Sequence, residues 1–144
     1  MRSLFDVNFL IALTDPDHAN HPRAQSWWKI NRHCGWASCP LTENGFVRVM
    51  SNPKYPTESS FTPRQLISDL LDFVLLGEHE FWHDDISLLD SSIFDSSRIV
   101  GPRQITDIYL LALAVKNGGR LVTFDERISI QAVSGATPDN LVIV

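Results

Sequence analysis

Four of the seventeen acidic residues of this 144-residue chain stand where a carboxylate can do chemistry rather than solvate a surface. Asp6 interrupts the apolar run "SLFDVNFLIAL", Glu43 follows "WASCP" by a turn or two, Asp107 opens "TDIYLLALA", and Asp125 ends "LVTFD". An ionised carboxylate among apolar neighbours is costly unless a cation or hydrogen bonds meet it. Four such groups in one pocket repel one another, and without a counter-ion one or two would hold a proton at neutral pH. Arg127, two residues past Asp125, is the basic residue that sequence places beside them. An all-oxygen acidic cluster without neighbouring Cys or His suits hard Mg²⁺ or Mn²⁺. Such clusters recur where phosphodiesters are hydrolysed by cation-activated water.

These acids meet only if the elements around them deliver them to one place. Short apolar runs at Ser3–Val7, "GWASCP", "HEFWHDD", "RLVTFD" and the terminal "LVIV" read as strands. Helices are expected from Asn8, over about Arg23–Arg32, through "LTENGFVRVMSNP" with Thr42 as its cap, and through "FTPRQLISDLLDFVLLG". In that last segment Thr62 caps, Pro63 takes the first turn and Gly77 ends the helix. A further helix covers "RQITDIYLLALAVKNGG", closed by Asn117-Gly118-Gly119. The alternation predicts an α/β fold, a three-layer α/β/α domain on a mostly parallel sheet of about five short strands. Open parallel sheets build their sites beyond the carboxyl ends of the strands. That rule gathers Asp6, Glu43 and Asp125 on one edge, and Asp107 joins them if its helix starts there. A helix start also suits a carboxylate, by a few tenths to about 1 kcal/mol.

The totals exclude several classes. Apolar residues make up 44% and charged residues 20%, so a packed core is expected rather than disorder. The length suits one domain, taken as residues 1–144. A net charge of −5 argues against coating nucleic acid by bulk positive charge but permits a local basic rim. No apolar run is long enough for a membrane span. Asp6 and Asn8 break the early apolar stretch, and no cleavage site for a signal peptide follows. Cys34 and Cys39 make no disulfide framework, which points to a reducing cytoplasm.

"FDVNFLIAL", "LTENGFVRV", "QITDIYLLALA" and "LVTFDER" together resemble the four acidic motifs of PIN-domain ribonucleases. "DPDHANHPRAQSWW" is similar to VapC-type toxins of toxin–antitoxin pairs, and the resemblance runs from about Leu4 to the last strand. It implies that Asp6, Glu43, Asp107 and Asp125 are catalytic and metal-binding, with Asn8 and Thr123 as polar neighbours hydrogen-bonding near the site. It also implies an endoribonuclease using Mg²⁺ or Mn²⁺, an RNA substrate, a homodimer and a cognate antitoxin. Arg48, Lys54, Arg103 and Arg127 are the candidate RNA-binding cations. The alternatives are a PIN-like nuclease processing RNA outside toxin–antitoxin systems, or an acidic pocket that binds without catalysis. A receiver domain would need a Lys on the last strand, and "LVIV" has none.

Other residues have plainer readings. His18 and His21 form an H-x-x-H beside Asp15 and Asp17, but in a Pro-bounded turn local hydrogen bonding is favoured over zinc. Trp27, Trp28 and Trp36 are expected in the core rather than stacked on bases. The 63–76 helix carries apolar residues over more than one stripe, so it is either sandwiched or offers a partner surface.

Overall fold

The computed structural model describes residues 1–56 and 60–144. Five short strands form one sheet: β1 (Ser3–Phe5), β2 (Trp36–Ser38), β3 (His79–Phe81), β4 (Arg120–Thr123) and β5 (Leu141–Ile143). Their order is β3-β2-β1-β4-β5 and every pair is parallel. The first strand is therefore central, and the direction of winding reverses between β1 and β4. Runs of three or four residues suffice because β1, β2 and most of β4 are buried on both faces. The edge strands β3 and β5 are partly exposed.

Two apolar layers flank the sheet. One face carries Leu4, Ala37 and Leu121 and is covered by helix α5 (Ile105–Lys116). The other carries Phe5, Trp36 and Val122 under α1 (Val7–Thr14), α2 (His21–Asn31), α3 (Pro40–Met50) and α4 (Pro63–Leu75). The pleat makes this division, since neighbouring residues of a strand point to opposite faces. Phe5 lies stacked on Trp36 with ring centroids 5.4 Å apart, at the centre of the second layer.

Helix α1 crosses α3 closely. A Cβ on Gly45 would lie 2.5 Å from a Val7 methyl, so only glycine lets the two backbones approach at that point. Gly118, at φ +64, turns the chain out of α5, and the amides of Gly118 and Gly119 close the last carbonyls of that helix. Between β3 and α5 the chain runs through hydrogen-bonded turns around Ser87–Phe94 and two single 3-10 turns, at Ser96–Arg98 and Pro102–Gln104.

One expected boundary moves. Helix α3 begins at Pro40 with Cys39 as its cap, and Thr42 is the third helical residue, its hydroxyl accepting the Cys39 amide at 3.0 Å. The helix 63–75 is not sandwiched. Leu66 and Leu70 are buried, while Ile67, Leu71, Leu75 and Leu76 face solvent. Among the described residues no helix is long and apolar enough to cross a membrane. Both cysteines are free thiols.

Candidate active site

Asp6 leaves β1 at its carboxyl end and caps α1. Its Oδ1 accepts the Phe9 amide at 2.6 Å, so the carboxylate serves as the helix cap. The same carboxylate does more. Its Oδ2 accepts the hydroxyl of Thr123, the last residue of β4, 117 residues away. Thr123 alternates with Val122 and shares the α5 face with Leu121, so it meets Asp6 on that side of the sheet. Thr123 Oγ in turn accepts the Asp125 amide at 3.0 Å. One threonine thus ties the first acid to the turn that carries the last.

The electrostatics follow from burial. Asp6 is only 4% exposed, and its pKa is pushed up to about 6, mainly by desolvation. The Thr123 and Phe9 hydrogen bonds work against that rise, and the charges of Asp107 and Asp125 add to it. Asp107, in the first turn of α5, is half-buried and is also raised, by desolvation and then by Asp125. Asp125 goes the other way. The Arg127 backbone amide and guanidinium bind its carboxylate at 2.9, 2.9 and 3.0 Å and hold it below the usual carboxylate range. Arg127 also feels Asp107. Asp6, Asp107 and Asp125 therefore form one electrostatic group at the β1/β4 switch point, where open α/β sheets bind ligands.

Glu43 is placed differently. It lies in the early part of α3 at the same edge, but Oε1 accepts the Ser38 hydroxyl at 2.5 Å. Ser38 shares the Trp36 face of β2, opposite the face Asp6 and Thr123 use. Glu43 lines a cavity of about 680 Å³ between α3 and α4, with Arg48, Val47, Ile67, Leu71 and His79 around it.

The remaining expected residues divide. Thr123 reaches the acids, whereas Asn8 is exposed in the first turn of α1. Arg127 is at the site and Arg103 lies in the turn before α5, whose Gln104 donates to the Arg127 carbonyl at 3.2 Å. Arg48 lines the α3–α4 cavity. Lys54 is carried away, in the turn beyond α3 next to Tyr55, which bonds Asp15 at the far end of α1. His18 and His21 spend their Nδ1 atoms on the Asn20 amide and the Ala12 carbonyl. Sequence reasoning passed over Ser38 and His79, which meet only through the β2–β3 pairing.

The donor chemistry fits a hard divalent cation: three carboxylates, all oxygen, with two of them held above their ordinary pKa by burial and, to a smaller extent, by neighbouring acids. Among the described residues no three His, Cys, Asp or Glu side chains are drawn close enough to hold one ion as they stand. Asp125 faces Arg127 instead.

No family model matches the chain. It is 50% identical to Ribonuclease VapC44 of Mycobacterium tuberculosis over 141 residues, 98% of each chain. Ribonuclease VapC39 of the same organism is 42% identical over 94% of this chain and 96% of its own, and Ribonuclease VapC38 is 46% identical over 85% and 84%. Among solved structures, the crystal structure of the M. tuberculosis sarcin-ricin-loop-cleaving toxin VapC20 superposes with a TM-score of 0.63. That match covers 94% of this chain and 99% of the other at 14% identity, a likeness of fold.

Proposed function

Because the chain belongs to the VapC ribonucleases, endoribonuclease toxins of toxin–antitoxin pairs, we propose that the acids at the β1/β4 switch point are its catalytic centre. Residues 1–144 form a single nuclease domain. The observation that carries this reading is Asp6: almost fully buried, fastened by Thr123, and raised by that burial with Asp107 and Asp125 adding to it.

Asp6, Asp107 and Asp125, with Glu43, are the residues that would hold Mg²⁺ or Mn²⁺. When bound, such an ion supplies the charge that lets these acids ionise together and polarises water and phosphate. The chain's own groups do the rest. Thr123 fixes the Asp6 carboxylate so that one lone pair of Oδ2 is committed and the carboxylate plane is set. Asp107, half-buried in the first turn of α5, is more open than Asp6 and is the acid better placed to exchange a proton with solvent or substrate. Arg127, exposed beside Asp125, and Arg103 in the adjoining turn offer cations to RNA phosphates. Arg48 does so on the α3–α4 side, and Lys54, at the opposite edge, is left out of the interface.

The proposed partners are RNA, a cognate antitoxin and a second copy of the chain, and the proposed compartment is the cytoplasm. The deciding experiment incubates the protein with a panel of single-stranded and stem-loop RNAs, with and without Mg²⁺. Wild type cleaves only with the ion, and Asp6→Asn cleaves at least about 100-fold more slowly. Full Mg²⁺-dependent cleavage by Asp6→Asn would overturn the assignment.

A further inference from the structure

Ser38 makes two hydrogen bonds with one proton. Its Oγ lies 2.5 Å from Glu43 Oε1 and 2.8 Å from His79 Nε2. An ionised carboxylate only accepts, so the serine proton belongs to the Glu43 contact. The His79 contact must then be filled from the other side, by an N–H on Nε2. The order imidazole to hydroxyl to carboxylate follows from donor counting alone.

The surroundings hold that order in place. Ser38 is 1% exposed and sits at the last position of β2, with Phe81 of β3 beside it. His79, paired with Trp36, packs its ring against that indole at 4.4 Å between centroids. It is half-buried, and the charges near it are Glu43, Arg2 and Glu80. Glu43 thus has one oxygen tied to a buried, backed hydroxyl. Neither Ser38 nor His79 bonds to the α5-side acids, and the acid the pair reaches is Glu43.

We propose that Ser38 and His79 are positioning residues for Glu43, a hydrogen-bonded pair that fixes one oxygen of its carboxylate and leaves the other free for the nuclease centre. This rests on the reading of Glu43 as one of the acids of that centre. Hydrogen-bond partners of metal-binding groups typically change activity or metal affinity about 10- to 100-fold when removed.

The test uses the RNA that wild type cleaves best in the panel. Glu43→Gln loses cleavage. Ser38→Ala and His79→Phe, which keeps the ring against Trp36, each lower kcat about 10-fold or more with KM within about twofold. Ser38→Thr and His79→Gln, which restore a hydroxyl and an N–H donor, recover most of it. The double variant Ser38→Ala/His79→Phe is no slower than the worse single one, because the two act as one unit. A second readout needs no cleavage: nitrogen NMR of the metal-free protein finds the His79 proton on Nε2, and Ser38→Ala releases that preference. Loss of activity in Glu43→Gln with unchanged kcat in Ser38→Ala and His79→Phe overturns the positioning role alone. So does a proton found on Nδ1. Wild-type cleavage by Glu43→Gln overturns the place of Glu43 in the centre and the positioning role with it.

Discussion

A buried acid such as Asp6 makes the bare protein sensitive to pH in an uncommon direction. Its pKa is about 6 in the fold against an ordinary 3.8, so between those values the folded chain holds a proton that the unfolded chain has lost. Stability linked to this group therefore rises as pH falls from about 6 towards 3.8, and the cost of ionisation is fully present above about 6. Two pKa units correspond to about 3 kcal/mol as a ceiling. Without divalent cation, Asp6→Asn should melt several degrees higher than wild type at pH 7.5, and the two melting curves should converge by pH 4. Mg²⁺ should raise the melting temperature of wild type and leave that of the variant in place. Identical pH dependence in both proteins would show that Asp6 is not ionised at a cost. Asp6 was conspicuous in sequence because its neighbours are apolar. His79 was not, because it meets Ser38 across 41 residues and neither residue type nor spacing announces the pair.

Helix α4 divides its apolar residues between two jobs. Leu66 and Leu70 pack into the layer beneath the sheet, and truncating either to Ala should cost about 2–5 kcal/mol. Ile67, Leu71 and Leu75 are more than half exposed and contribute little to the monomer. An exposed apolar ridge of this kind fits a contact with a second copy or with the antitoxin. Leu71→Lys should leave the melting temperature within about 2 °C of wild type yet shift the species seen by light scattering to monomer, or weaken antitoxin capture. A variant that alters neither would leave the ridge without a partner. The start of this helix was legible because Thr62 and Pro63 act locally, and the Thr62 hydroxyl does accept the Gln65 amide. The start of α3 was misplaced, its cap lying at Cys39 rather than Thr42, because the two residues serve the same turn and the proline at its first position outweighs the threonine. Which side of α4 is covered was not legible, since apolar periodicity marks a face without saying what lies against it.

Across the whole molecule, alternating helices and short apolar runs foretold a parallel α/β/α sheet and the carboxyl edge as the place for the acids. The strand order was out of reach, because five runs of similar character can be arranged in many ways and only packing selects one. Nor could the sequence say on which face each side chain emerges. That depends on where each strand stops, and a one-residue change sends a side chain through the sheet. The separation of Ser38 and Glu43 from Asp6 and Thr123 is of this kind: same edge, opposite faces.

The bond between Asp6 and Thr123 also bears on when the enzyme can become harmful. Asp6 precedes Thr123, its hydrogen-bond partner, by 117 residues, so β1 is translated well before β4. β1 has no central place in a sheet until β4 emerges beside it. On the proposed assignment of the site, a chain still on the ribosome should be inert towards RNA until β4 has emerged beside β1. Chains stalled at residue 116, before β4, should cleave no RNA, whereas chains tethered through a long carboxyl-terminal linker should cleave it. Cleavage by the shorter set would mean that the acids can assemble without β4. On that assignment, restraint during synthesis is written into the strand order itself, apart from any antitoxin.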